Sequence, residues 1–417
     1  MVNLIIFNDT RRAATYGVGT YIRELITSME NSDVRIIIVH LHSEKPDIEK
    51  EEQNLVHCIY IPPPINFHAV FDWNYKIDWY YKNVVFLLRW LIKGVENLIF
   101  LINYSKSDIL AAELKKAFDC KFITVAHYSD WGFFIYDNLP LLRSILKEEH
   151  TDDKGKNLQN LIEREKSLYS ISDRVICLSN YMHDIFCYDY KCDASKIVVI
   201  SNGLTDTEKN VSDKKHLRNK WKISSKEKII LFAGRIDEAK GMSHLIKAFR
   251  KVLFVYPQSR LVIAGEGDFR KYIKESQDIS TKITFTGLLN KDQLYEWYNL
   301  ADLGVIPSLF ESFGYVAVEM MMHELPIVAT ATSGLKEVIN DSCGLLVQLT
   351  VLSDSVEVDD SLFAEKIIYL LQHPNDAKKM GRNGRKRYLM EYSSDVFRKN
   401  MLHFFNSLFE DNVNSIH

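Results

Sequence analysis

Short apolar runs alternate along the chain with stretches in which apolar residues recur every three or four positions. The runs read as strands and the periodic stretches as amphipathic helices. In the first half the predicted strands are 2–7, 34–41, 98–104, 122–126, 175–178 and 197–200, with helices at 19–29, 108–118, 158–169 and 181–187. Residues 72–93 predict a long aromatic helix or a helix pair. Polar text at 204–228 interrupts the rhythm, which then restarts. Strands at 229–233, 260–264, 283–286, 303–306 and 327–329 interleave with helices at 244–255, 269–275, 293–299, 315–323 and 363–373. Strands separated by helices of this length need crossover connections, so each half predicts a doubly wound parallel sheet. The expected organisation is an N-terminal domain at 1–203, a C-terminal domain at 204–392, and a final helix at 393–417. Phe397, Met401, Phe405 and Phe409 give that helix an apolar face too wide for a free tail.

Composition narrows the class. The chain has 417 residues, 47% of them hydrophobic and 26% charged, with net charge −3. That excludes collagen-like, disordered and disulfide mini-protein classes and allows two cores of roughly 200 residues each. Without a basic excess, nucleic acid is not an expected partner. The six cysteines form no C-x-x-C pair and read as buried thiols of a reducing compartment. The N-terminus lacks a basic n-region, so it reads as a strand and not a signal peptide. The most apolar segment, 84–102, is broken by Arg89, Lys93 and Glu96. A cytoplasmic protein is expected, with peripheral contact to the inner face of a membrane as a further option.

Ligands of doubly wound domains bind at strand ends, against helix N-termini. Three loops there carry candidate chemistry. Gly17 and Gly19 follow the first strand, where glycine lets backbone approach a phosphate; alone, a G-x-G is equally a tight turn. Gly234 and Gly241 flank Arg235 and Lys240 after the first strand of the second domain. Two cations on one such loop suit a diphosphate leaving group, whose charge grows in the transition state. Glu311 and Glu319 bracket a helix start, up to about 12 Å apart along the axis. That spacing suits grips on two ends of one extended ligand, with the main chain of Phe313, Gly314 and Tyr315 between them.

These loops, with Ser201-Asn202-Gly203, Gly265-Glu266-Gly267 and Phe285-Thr286-Gly287, occur in an order and spacing that resembles the retaining glycosyltransferases of family 4, over almost the full length. The resemblance implies the GT-B architecture: two Rossmann-like parallel-sheet domains facing across a cleft, with the C-terminal helix crossing back onto the first. It implies transfer of a sugar from a nucleotide-diphosphate sugar, UDP ahead of GDP, to an acceptor hydroxyl, as in surface-glycan or other glycoconjugate synthesis. Arg235 and Lys240 would hold the diphosphate, with Gly234 beside them and Gly17 and Gly19 approaching from the first domain. Glu311 would contact the donor sugar, Glu319 the ribose, and Gly287 and Leu288 the nucleobase. His127, at a strand end, would bond a sugar hydroxyl and not act as a base.

Aromatics after His127 (Trp131, Phe133 and Phe134) are candidates for an acceptor wall, because aromatic faces stack on sugars or lipid. The Trp73–Trp90 stretch, rich in Trp, Tyr and Lys, reads either as a packed helix pair or as a membrane-surface contact. No Asp-x-Asp is present to hold a divalent ion on a diphosphate, so neither metal nor cofactor is expected. The acceptor is left open among glycolipid, polysaccharide intermediate, small molecule and peptide. A phosphorylase of the same architecture and a catalytically inactive regulatory subunit are the alternatives.

Overall fold

The structure, a computed structural model, describes residues 2–9, 17–53, 56–63, 73–150, 152–207 and 213–410. By their contacts they divide into two compact units. One takes the described residues within 1–130, 145–203 and 394–417; the other takes those within 131–144 and 204–393.

In the first unit β1 (Val2–Asp9), α1 (Gly17–Met29), β2 (Val34–Leu41), β3 (Glu49–Gln53), β4 (Val56–Ile61) and α2 (Trp73–Leu91) are followed by β5 (Leu98–Ile102), α3 (Asp108–Ala117) and β6 (Lys121–Ala126). Past α4 (Leu139–Leu146), most of which belongs to the second unit, come α5 (Asp153–Ile171), β7 (Arg174–Cys177), α6 (Asn180–Asp184) and β8 (Ile197–Val199). The described strands form an eight-stranded sheet in the order β3-β4-β2-β1-β5-β6-β7-β8. It is parallel except for β3, which runs antiparallel to β4. Leu4, Ile5 and Ile6 of β1 are fully buried, as expected of a central strand covered on both faces. Residues 73–91 form one helix, resolving the choice between one and two. The last helix, Ser394–Glu410, lies against α1.

The second unit contains α7 (Lys214–Lys220), β9 (Lys228–Ala233), α8 (Met242–Val255), β10 (Ser259–Ala264), α9 (Phe269–Glu275), β11 (Ile283–Gly287) and α10 (Lys291–Leu300). It continues with β12 (Leu303–Ile306), α11 (Tyr315–Met322), β13 (Ile327–Thr330), α12 (Leu335–Val338), β14 (Gly344–Val347), the hairpin β15 (Leu349–Val351) and β16 (Val356–Val358), α13 (Asp360–Gln372) and α14 (Pro374–Arg387). Six parallel strands order as β11-β10-β9-β12-β13-β14. The final helix is α15 (Ser394–Glu410). Among the described residues no helix is long and apolar enough to cross a membrane. Of the six cysteines, Cys58, Cys177 and Cys343 are buried and the other three half-buried, all as free thiols.

Residues 131–144 pack with the second unit, although the sequence reading placed them in the first. Trp131 is fully buried with its ring edge-on to Phe310, the centroids 5.3 Å apart. Asn138 is also fully buried; its Nδ2 donates to the carbonyls of Leu352 and Ser355, at 2.9 and 3.2 Å.

Candidate active site

The second sheet runs outward through β9, β10 and β11, then returns to β9's other edge for β12, β13 and β14. Connections diverge between β9 and β12, leaving a crevice at their carboxyl ends where such sheets bind ligands. The two loops that border it are 234–241 and 307–314. They are tied together: the Leu309 N–H donates to the Ala239 carbonyl at 2.8 Å. Gly241 makes this approach feasible. Its φ is +68°, and a Cβ there would lie 1.9 Å from the Pro307 carbonyl oxygen.

Lys240 and Glu311, one from each loop, meet as an ion pair between Nζ and Oε2, both side chains about one-fifth exposed. Asp237 orders the first loop, accepting the Lys240 backbone N–H at 3.0 Å and pairing with Arg235 at 3.3 Å. The Arg235 guanidinium also sits 5.6 Å from the centre of the Phe133 ring. Two cations, each paired with a carboxylate, thus stand on the loops that border the crevice, an arrangement suited to a phosphorylated ligand that also presents hydroxyl groups.

Neighbouring strand ends form a shelf beside them. Gly234 N–H donates to Ala264, Gly265 N–H to Gly287, and Ile236 N–H to Glu266, at 2.8 to 3.0 Å. A Cβ on Gly265 would lie 1.8 Å from the Gly234 carbonyl oxygen, so its glycine serves the packing of the two loops. Gly287 has open space at its Cβ position and Leu288 is exposed, leaving this end of the shelf accessible.

Gly314, at φ +107°, caps α11, whose N-terminus follows the 307–314 loop. Phe313 is buried, edge-on to Tyr315 and Tyr392 at 5.5 and 5.7 Å, so it contributes main chain and not a free ring. One turn into α11, Glu319 is buried and its Oε2 accepts the Tyr298 hydroxyl at 2.8 Å. Burial and that carboxylate raise the Tyr298 pKa well above the usual phenol range, which keeps it a donor. Tyr298 in turn stacks on His323 at 5.5 Å.

In the first unit His127 follows β6. Its Nε2 lies 2.9 Å from Asn103 Oδ1, which follows β5, and its ring is edge-on to Tyr21 at 4.6 Å. Desolvation lowers its pKa to about 3. A neutral imidazole of this kind donates and accepts hydrogen bonds but carries no charge near neutral pH. Gly17 and Gly19 lie within α1, Gly17 exposed and Gly19 buried, while the rest of their loop, 10–16, is outside the described residues.

The proposed acceptor wall needs correction. Trp131 faces Phe310 in the interior and has no exposed ring to offer. Phe133 and Phe134 are exposed, but Phe133 is engaged beside Arg235. The sequence reading also missed Asp137, Thr332 and Ser333. Asp137 Oδ2 accepts the Ser333 N–H at 2.9 Å, and the Gly334 N–H donates to the Glu311 carbonyl at 2.9 Å. A polar Thr-Ser-Gly run directly after β13 was the available signal.

Two family descriptions match. Residues 15–208 match Glycosyltransferase Family 4, and residues 213–387 match Glycosyl transferases group 1. The chain is a GT-B glycosyltransferase like those of family 4. An uncharacterized glycosyltransferase of Methanocaldococcus jannaschii is 32% identical to it over 52% of its length and 59% of the relative's. The lipopolysaccharide 1,2-N-acetylglucosaminetransferase of Salmonella typhimurium is 25% identical over the same shares. These alignments therefore span little more than half of the curated relatives. Solved GT-B structures extend the likeness in fold to nearly the whole chain. Sucrose-phosphate synthase from Thermosynechococcus elongatus superposes with a TM-score of 0.78 at 20% identity, covering 98% of this chain and 99% of that one. HepE of Anabaena, solved with UDP and glucose, superposes with a TM-score of 0.72 at 16% identity, covering 98% and 100%.

Proposed function

We propose that this chain transfers a glycosyl group from a nucleotide-diphosphate sugar, UDP ahead of GDP, to an acceptor hydroxyl with retention of configuration. The observation that carries this reading is the meeting of Lys240 and Glu311 from the two loops that border the second sheet's crevice. Solved neighbours holding UDP, or UDP with glucose, support the choice of base.

In this reading Arg235 and Lys240 bind the diphosphate and stabilise the charge that grows as it departs. Glu311 leaves Lys240 to the phosphate and takes a sugar hydroxyl, Glu319 takes the ribose, and the shelf at Gly287 and Leu288 takes the base. The bond from the anomeric carbon to the β-phosphate oxygen breaks. The acceptor oxygen bonds to that carbon on the same face, and its proton passes to the departing phosphate. Fixed cations do the neutralising, so no metal is required. The protein acts in the cytoplasm, in glycoconjugate synthesis. The exposed face of α2, with Trp79, Phe86 and Trp90, holds it at an anionic membrane surface.

The test is incubation of the pure protein with a panel of UDP- and GDP-sugars, with and without EDTA, following slow donor hydrolysis by mass spectrometry. UDP release from at least one UDP-sugar, unaffected by EDTA, is expected. Cleavage of a glycoside that needs inorganic phosphate and no nucleotide would instead identify a phosphorylase.

A further inference from the structure

The segment 131–144 packs as part of the second unit, and its Asp137 meets the loop behind Glu311. Asp137 Oδ2 accepts the backbone N–H of Ser333 at 2.9 Å. The Ser333 hydroxyl lies 3.3 Å from Asp137 Oδ1, and the Thr332 hydroxyl, which donates to the Leu309 carbonyl at 2.9 Å, lies 3.3 Å from Asp137 Oδ2. Thr332 and Ser333 are fully buried. Ser333 has φ +39°, a left-handed backbone that costs a non-glycine residue energy and persists only where surroundings enforce it.

That turn is joined directly to Glu311. The next residue, Gly334, donates its N–H to the Glu311 carbonyl at 2.9 Å, and Ser333 Oγ stands 3.5 Å from the Glu311 N–H. Nothing in the chemistry proposed above uses Asp137. Its carboxylate supplies what the turn needs: an anionic acceptor for a buried amide and a neighbour for two buried hydroxyls.

We propose that Asp137 is a positioning residue for Glu311: it holds the left-handed turn at Ser333, which fixes the Glu311 backbone and so the carboxylate that meets Lys240. This rests on the donor-site reading above. Displacing a catalytic contact by about an ångström costs on the order of 10²-fold in rate. Asp137→Ala is therefore expected to lower kcat for hydrolysis of the UDP-sugar that wild type turns over fastest by about 10- to 100-fold. Affinity for UDP itself, which has no sugar for Glu311 to hold, should stay within about twofold.

The second substitution supplies the rescue. Glycine adopts positive φ without penalty, so Asp137→Ala combined with Ser333→Gly should recover most of the lost kcat. Hydrogen–deuterium exchange gives a readout independent of activity. Peptides covering 309–315 and 332–336 should exchange faster in Asp137→Ala and return towards wild type in the double variant. Unchanged exchange, an unchanged kcat, or UDP affinity falling in step with kcat would each overturn the proposal. Failure of wild type to turn over any nucleotide sugar would sink the donor-site reading, while the exchange data would still decide the role of Asp137.

Discussion

Lys240 and Glu311 neutralise each other in the crevice, so each is held in place by a partner on a different loop. On our reading Lys240 is a donor to developing phosphate charge, so Lys240→Ala should lower kcat by about 10²–10³ with little change in melting temperature; turnover near wild type at saturating donor would remove that role. Glu319 is held from behind by Tyr298 and grips, on our reading, the remote end of the donor. Uniform binding appears in KM, so Glu319→Ala should raise donor KM more than it lowers kcat, and the reverse pattern would exchange the roles of the two glutamates. Glu165, in α5 of the first unit, is a different kind of residue: a buried carboxyl that accepts the Asp130 N–H at 2.7 Å and the Tyr190 hydroxyl at 2.9 Å. Burial raises its pKa from 4.5 to about 8. Between those values the folded protein keeps a proton that the unfolded chain has lost, so its contribution is complete below the unfolded value and disappears as pH rises through 8. Glu165→Gln mimics the protonated group, so its melting temperature should gain on that of wild type from pH 5 to 9; parallel curves would show that Glu165 is ionised in the fold. Lys240 and Glu311 were legible because their charges stand on loops after strands with glycine close by, and Glu319 because it is a charge among apolar neighbours in α11. Asp137 and Tyr298 were not, because what they do depends on partners 195 and 21 positions away.

Elements were legible where an apolar face meets a core, and they escaped where something other than apolar side chains makes the contact. The β3 strand reads Glu-Lys-Glu-Glu-Gln, a charged sheet edge with no alternation to reveal it. The α14 helix is almost wholly polar in text because glycines form part of its packed face: a Cβ on Gly381 would lie 1.9 Å from the Glu324 carbonyl oxygen, and one on Gly384 would press on Met321 at 3.2 Å. The α2 helix shows both faces of the problem. Tyr80, Tyr81, Val84, Val85 and Leu88 are buried on the unit, yet Trp79, Phe86 and Trp90 are 51%, 71% and 73% exposed. Spaced seven and four apart, those three share one outward stripe. Exposed Lys82, Arg89 and Lys93 border it, and Lys50 lies 5.5 Å over the Trp90 ring. Aromatic rings rimmed by cations match an anionic bilayer surface. The protein should therefore float with vesicles containing phosphatidylglycerol at low salt, less so at high salt, and not with pure phosphatidylcholine. Replacing Trp79, Phe86 and Trp90 by alanine should abolish flotation while leaving donor hydrolysis in solution intact. Equal flotation of that variant and wild type would exclude this stripe as the contact.

At the scale of the whole molecule, two rounds of strand–helix alternation separated by polar text were enough to predict two parallel-sheet units, because crossover connections leave few alternatives. What alternation does not convey is which segments of sequence complete which unit: 131–144 joins the second, and α15 joins the first. The first unit is thus closed by the end of the chain. Phe397, Met401, Phe404, Phe405 and Leu408 of α15 are all buried, Phe397 lies edge-on to Tyr21 at 5.8 Å, and Arg398 donates to the carbonyls of Ser28 and Glu30 at the end of α1. Burying five such side chains is worth on the order of 7–15 kcal/mol before chain entropy is subtracted, comparable with the whole stability of a typical domain. Tyr21 also packs on His127, so loss of α15 would disturb the side chain that stands against the imidazole. Deletion of residues 394–417 should therefore abolish cooperative melting of the first unit and end transfer, although the deleted residues include none of those assigned to the donor. Phe405→Asp, a single charge in the same interface, should shift stability in the same direction while leaving the chain at full length. A truncated protein that stays monodisperse, melts where wild type does and keeps full turnover would show that α15 is dispensable to the unit it completes.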